Sequence, residues 1–375
     1  MKGFEVVQNQ NMTGMVMTVT GPIHPDKLGS TLMHEHLFFH SAGRQTYTPD
    51  KNTPATEGDQ WYEKLTLENL HLARHQKQSL ADNMSLTDEQ VAAAEVLYYM
   101  SRGGSTIVDV TSLGIRRDPL ALARLSVTTG LNVVMGSSWY SKMTHPQDMD
   151  DRSVEDLLGK IVRDINVGVD DTGVRSGIIG EVGINGNPLT PNEIKVIRAS
   201  ARASRASGAA ISLHWGGVGR EKFEVARVIV EEGGDLTRTI FGHSDLIAGD
   251  LDLMLELLEL GVYIQFDLLG RVVVPLMWAP LDPQNPWPDY LSISGTALVA
   301  DAIPKLIDAG YVDRILLSQD VCTKVQLKAY GGTGYSFILD TFLPHLTRVG
   351  VSAEHLSRMM IDNPRRVLML AEPGK

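Results

Sequence analysis

Eight short apolar runs alternate along the chain with segments of helical period, and no other feature narrows the available folds as far. The runs are STLMHEHLFF, STIVDVTSLG, LNVVMGSSWY, GIIGEVGING, AAISLHWGG, RTIFGHSD, GVYIQFDLLG and RILLSQDV. Unbroken apolar stretches of about four to six residues suit strands buried on both faces, as in a parallel sheet. The intervening segments carry helix signals. In TPNEIKVIRASARAS, Thr190 is placed as N-cap, Pro191 at the first helical position and Glu193 to close a capping box. TDEQVAAAEVLYYMSRGG repeats the pattern with Thr87 and Gln90, and Gly103 ends it. Eight strands, each followed by helical sequence, give a (β/α)8 TIM barrel, regular or distorted, with a doubly wound open sheet as the competing arrangement.

No domain-scale linker interrupts the 375 residues, so a single domain over 1–375 is expected, with residues 1–14 as a loosely ordered N-terminal extension. Two long insertions, residues 41–83 after the first strand and 269–293 after the seventh, would form rim loops at the C-terminal end of a barrel, where active sites lie. The second carries Trp278 and Trp287 and reads either as the wall of a pocket or as a packed surface excursion.

Composition excludes several classes. At 43% hydrophobic and 21% charged, the chain can bury a large core. A net charge of −11, with acidic and basic residues scattered throughout, argues against nucleic acid as the main partner. The lone cysteine, Cys322, excludes an intrachain disulfide framework and suits a reducing compartment. No apolar stretch reaches the roughly 18 residues of a membrane span, and no long apolar core follows a basic start. The expectation is a cytoplasmic protein acting on a small-molecule substrate, with no nucleic acid and no membrane as partner.

The strand ends carry the chemistry. In TLMHEHLFFH, residues two apart on a strand share a side, so His34 and His36 project together while Glu35 points elsewhere. Such a pair alone is more often incidental than a chelate. Four further strand ends, however, finish on Glu181, His214, His243 and Asp320. Each could be a satisfied core or rim residue, but apolar strands rarely accumulate so many ionisable ends without a shared partner. Imidazole and carboxylate donors suit zinc, manganese, cobalt or iron. Six ligands exceed the need of one catalytic zinc, and a two-metal site with a bridging carboxylate uses all six.

The segments GPIHPDKLGSTLMHEHL, STIVDVT…RDP, GIIGEVG, SGAAISLHWG, FGHSD, YIQFD, ILLSQD and DNPRRVL, from about residue 17 to 370, resemble the phosphotriesterase family of the amidohydrolase superfamily. The resemblance implies two divalent transition-metal ions per chain, with His34, His36 and Asp320 on the more buried one and His214 and His243 on the more exposed. Glu181 stands where many members carry a carbamylated lysine, which points to the phosphotriesterase-related branch. A hydroxide shared by the two ions would be the nucleophile, and Asp320 would take its proton. Leu246 and Leu268 occupy the positions of the proton relay of organophosphate-degrading members, and neither can carry a proton. The arginine that many lactonase members carry just after strand seven has no counterpart at the matching position, and Arg271 lies three residues on. Lys324, Tyr330 and GGTGY again resemble the related-protein branch. Trp278, Arg271, Lys324 and Tyr330 are therefore the candidate substrate-binding residues. The expected activity is hydrolysis of a lactone or carboxylic ester, then of an amide, then of a phosphotriester, with a non-catalytic metal-binding protein as the reading from another class. A homodimer is also implied.

Overall fold

The structure, a computed structural model, describes residues 12–41, 61–75, 80–185, 188–215, 219–271 and 295–374. Eight parallel strands form one sheet: β1 Ser30–Glu35, β2 Gly104–Asp109, β3 Asn132–Ser137, β4 Ile178–Ile184, β5 Ile211–Trp215, β6 Thr239–Phe241, β7 Tyr263–Phe266 and β8 Ile315–Leu317. They lie in sequential order, without the reversal that defines a doubly wound sheet. Across the seam between β8 and β1, the His34 N–H donates to Ser318 Oγ at 2.8 Å and the Asp320 N–H to the His34 carbonyl at 3.2 Å. The sheet thereby closes into the expected barrel.

Helices α1 Glu89–Ser101, α2 Pro119–Thr129, α3 Val154–Asn166, α4 Pro191–Ser207, α5 Glu221–Glu231, α6 Leu251–Glu259 and α7 Thr296–Asp308 fill the crossovers. The start of α4 follows the sequence signal: Thr190 Oγ1 accepts from the Glu193 N–H, and the Glu193 carboxylate accepts from the Thr190 N–H. The start of α1 corrects it. The N-cap is Asp88, not Thr87, because the Asp88 carboxylate accepts from the backbone of both Gln90 and Val91.

Alternate residues on the strands serve two layers. Met33, Val108, Val134, Ile178, Ile240, Tyr263 and Leu316 pack into one cluster with Val16, Leu28 and Leu368, filling the lower part of the barrel. Leu32, Ile107, Val133, Ile179, Ile211 and Phe241 belong to the larger core shared with the helices. The register breaks between Leu32 and Glu35 on β1 and between Ile179 and Val182 on β4, local irregularities of the kind that re-aim side chains.

A short antiparallel pair, Phe39–His40 with Ser85–Leu86, brackets the first long insertion, whose described part holds a small apolar cluster of Leu65, Leu70, Ala73 and Leu80. Trp278 and Trp287, together with residues 1–11, lie outside the described residues. At the other end, the Gly14 N–H donates to the Leu370 carbonyl at 2.8 Å, tying the chain ends together under the barrel. Among the described residues no helix is long and apolar enough to cross a membrane.

Candidate metal centre

Six side chains from five strand ends converge around the Glu181 carboxylate, itself one of them, each with at most 5% of its surface exposed. Glu181 Oε2 lies 2.8 Å from His214 Nδ1 and 3.2 Å from His34 Nε2, while Oε1 lies 3.4 Å from His36 Nε2. Asp320 Oδ1 stands 3.2 Å from His36 Nε2 and 4.0 Å from His34 Nε2. His243 Nε2 is 2.9 Å from His214 Nδ1. Two overlapping sets, His34–His36–Asp320 and His34–Glu181–His243, keep their donor atoms within 4.8 Å of one another. All six residues that the sequence nominated are thus brought together. His243 and Asp320 lie just beyond the ends of β6 and β8 with φ of +49° and +47°, a left-handed conformation that costs a residue with a side chain about 1–3 kcal/mol. A neighbouring framework must hold them there.

That framework is a layer of buried carboxylates bound to the backbone of the ligand-bearing loops. Asp267 accepts from the His243 N–H at 3.0 Å and sits 2.7 Å from His243 Nδ1 and 3.2 Å from His34 Nδ1. Gln265 donates to its other oxygen at 2.7 Å. Asp245 in turn accepts from the Asp267 N–H at 2.8 Å. Asp109 accepts from the N–H groups of Leu37 and Thr111, and the Thr111 hydroxyl lies 2.8 Å from His36 Nδ1. Glu35 accepts from the N–H groups of Gln319 and Val321 and from the Ser318 hydroxyl. These contacts leave Nε2 of His34, His36 and His243 facing the centre. His214 presents Nδ1 instead, with its Nε2 3.1 Å from the Tyr140 hydroxyl. Sequence reasoning gave none of these carboxylates a role. Asp267, one step past a strand end like the ligands, carried a signal that could have found it.

The charges show what the cluster wants. Burial alone would lower the His34 imidazole, but Asp267, Glu181 and Asp320 outweigh it and push its pKa up to about 10. Burial works to raise Glu181 and Asp320. His214 and His34 nevertheless hold Glu181 well below the usual carboxylate range, and Arg271 with His36 and His34 does the same for Asp320. His214 moves the other way, lowered by burial and by His243. Burial raises Glu35 to about 7 and, with the neighbouring Asp267 charge, Asp245 to about 8. The centre is therefore anionic enough to hold a proton on a fully buried imidazole. His34 Nε2 makes no acceptable hydrogen bond among the described residues. Imidazole nitrogens and carboxylate oxygens around an orphaned, buried Nε2 fit divalent transition metals in place of protons.

The candidate substrate residues divide. Arg271 reaches the centre: it pairs with Asp320 Oδ2 and donates to the Asp320 carbonyl at 2.7 Å, while its Nε makes no hydrogen bond among the described residues. Lys324 pairs instead with Asp82 at 2.8 Å and lies over the Tyr330 ring, which packs against the apolar cluster of the first insertion. Both bind one rim segment to another. Leu246 is buried in the turn after β6 and Leu268 is partly buried after β7. Trp278 falls outside the described residues.

The model of the phosphotriesterase family matches residues 14–368. A phosphotriesterase-related protein of Nematostella vectensis is 36% identical over 358 residues, spanning 94% of this chain and 98% of its own. The N-acetyltaurine hydrolase of Homo sapiens is 34% identical over 360 residues, spanning 96% and 99%. Among solved structures, a resiniferatoxin-binding protein from Rhodobacter sphaeroides aligns with a TM-score of 0.86 at 35% identity and covers 95% of each chain. A family match that begins before β1 and runs past β8, through every ligand-bearing turn, leaves one conclusion: the chain belongs to the phosphotriesterase family and is a hydrolytic enzyme.

Proposed function

We propose that this hydrolase cleaves the amide bond of an N-acyl compound whose amine half carries an acidic group, with two divalent ions held by His34, His36, Glu181, His214, His243 and Asp320. The observation that carries the reading is the Glu181 carboxylate, with one oxygen toward His36 and the other toward both His34 and His214. A carboxylate so placed suits two cations at once. Zinc is the metal the donor set favours, and manganese, cobalt and iron share its ligand chemistry. When bound, the ions supply Lewis-acid polarisation of the scissile carbonyl and acidify water from a pKa of 15.7 to roughly 7.

The chain's own groups do the rest. Asp320, kept ionised beside Arg271 and two imidazoles, accepts the proton of the water that adds to the carbonyl carbon and hands it to the amine nitrogen as the C–N bond breaks. Asp267 and Thr111 fix which nitrogen His243, His34 and His36 present. Arg271, whose guanidinium stands beside Asp320 with an Nε that makes no hydrogen bond among the described residues, is the group that receives the acidic end of the substrate.

The amide now stands ahead of the lactone or ester. The support is the run of relatives named for N-acetyltaurine hydrolysis, at 32–34% identity over at least 95% of this chain. The apolar Leu246 and Leu268, which cannot relay protons, keep the phosphotriester last. The test is a side-by-side panel on metal-loaded protein: N-acetyl amino acids and aminosulfonates, lactones, aryl esters and a phosphotriester. The acidic N-acyl amides should lead in kcat/KM by at least about tenfold, or 1.4 kcal/mol of transition-state stabilisation. A lactone or neutral ester in first place overturns the amide reading, and turnover of no substrate overturns the enzyme assignment of these residues.

A further inference from the structure

We propose that Glu35, the residue between the two histidines of His34–Glu35–His36, is a positioning residue that sets Asp320 against the more buried metal ion. Its side chain is fully buried, and alternation along the strand turns it away from the two histidines that flank it. Burying a carboxylate is costly unless its oxygens are fully engaged. Glu35 engages them with one turn. Oε1 accepts from the Gln319 N–H and the Ser318 hydroxyl, both at 2.7 Å, and Oε2 accepts from the Val321 N–H at 2.8 Å. The residue passed over is Asp320, and its N–H goes to the carbonyl of His34 at 3.2 Å. Two adjacent residues of β1 thus grip four consecutive residues of the turn after β8.

What the grip holds is the unfavourable part of that turn. Asp320 has φ of +47°, and its Oδ1 stands 3.2 Å from His36 Nε2. Relaxation of the turn toward an ordinary backbone conformation would swing the carboxylate off that line. The three acceptor bonds oppose the relaxation on both sides of Asp320. The sequence therefore couples three functions in three residues: two donors that face the metal and, between them, the anchor for a ligand that comes from the far end of the chain.

An amide of the same shape cannot do this. The Glu35→Gln side chain keeps one acceptor oxygen, and its NH2 group must then face a backbone N–H of Gln319 or Val321. One buried N–H loses its partner and the turn is released. A competing role exists: Glu35 could simply seal the seam between β1 and β8, with no particular effect on Asp320. The two roles separate in a double-mutant cycle.

The proposal rests on the reading of His34, His36 and Asp320 as ligands of one ion. The experiment is an equilibrium titration of chelator-treated full-length protein with Zn2+ against a chromophoric competitor. Four forms are compared: wild type, Glu35→Gln, Asp320→Asn and the double variant. Glu35→Gln should weaken the tighter site by about 10- to 100-fold in the wild-type background, the usual cost of losing an outer support. In the Asp320→Asn background the same change should matter by less than about twofold, because the residue it acts through is already lost. Equal loss in both backgrounds reduces Glu35 to a seam clasp and overturns the proposal. Wild-type affinity in Glu35→Gln overturns it too. Wild type that takes up no zinc would fail the ligand assignment itself, a different failure seen before any variant is made. Should Glu35→Gln not fold, Glu35→Asp keeps the charge, draws the carboxylate back by one methylene and is read by the same two ratios.

Discussion

At the lower end of the barrel, Met33, Val108, Val134, Ile240 and Leu316 meet side chain to side chain, with Val16 and Leu368 beneath them. At the upper end the same strands deliver four histidines and two carboxylates into a space lined by further buried carboxylates, Glu35, Asp109, Asp245 and Asp267. The lower end gains from burial at roughly 25 cal/mol per Å² of apolar surface and demands little of geometry. The upper end is costly to desolvate and stays folded only because each of the four supporting carboxylates takes at least one backbone N–H from a neighbouring loop. Stability and function are thus spatially separated on shared strands. Damage to the floor should act on folding, and damage to the top on metal and turnover.

The sharpest test of that division pairs Glu181→Gln with Leu316→Ala. Glu181→Gln removes the central charge, so zinc content and kcat should fall together by at least about two orders of magnitude, more than the loss of an outer support costs. Leu316→Ala should destabilise the fold by about 2–5 kcal/mol and leave kcat per folded molecule unchanged. Elemental analysis, denaturant unfolding and initial rates on the same preparations decide it. Loss of metal in Leu316→Ala at low temperature, where it is folded, would break the division.

Asp267→Asn comes next in size. The variant keeps the shape and loses the charge that sets the orientation of His243 and His34, so metal affinity should drop by about 10- to 100-fold. A competitive titration measures it. An unchanged affinity would mean that the two rings are held by packing alone. Smaller again is Arg271→Met, which keeps the apolar stem. It should raise KM for an acidic N-acyl amide by about tenfold, or about 1.4 kcal/mol of binding, and leave KM for a neutral amide nearly unchanged. Equal losses for both substrates would reassign Arg271 from the substrate to the orientation of Asp320.

The same contrast explains what the sequence disclosed. Every barrel strand was legible because a fully buried strand is an apolar run, and every candidate ligand because it interrupts such a run at its end. The supports were harder to read. Glu35 and Asp267 are also strand-end acids, but their meaning lies in partners such as Val321 and His34, 286 and 233 positions away by residue number. Spacing cannot show those. The partners of Lys324 and Tyr330 are hidden in the same way: Asp82 and Leu65 come from the far insertion after β1. The shift of the α1 cap from Thr87 to Asp88 is a local matter. Two cap-forming residues stand side by side, and the carboxylate that reaches two N–H groups wins.

The last test is a pH slope, and its sign separates the two ends once more. In chelator-treated protein five of the upper-end histidines and carboxylates have folded pKa values above their ordinary ones: His36, Asp109 and the three raised furthest, Glu35 at about 7, Asp245 at about 8 and His34 at about 10. A group raised on folding contributes stability that is complete below its unfolded pKa and is lost as pH rises through the folded value. All five therefore lose stability as pH climbs, among them Glu35 and Asp245 from the carboxylate range upward and His34 from about 6.5 to about 10. Glu181 and Asp320, both held low, act only at the acid end, where their contribution is lost as pH falls below the usual carboxylate range. Metal-free protein should accordingly melt at progressively lower temperature between pH 6 and pH 9 (both on the order of the pKa values involved). Zinc should counter this slope, because the ions take the place of the His34 proton and binding releases protons more readily as pH rises. The gap in Tm between loaded and stripped protein should widen across that range. A gap that narrows would mean that the centre does not exchange protons for metal, and a slope set by floor variants such as Leu316→Ala would place the pH-sensitive groups at the wrong end of the barrel.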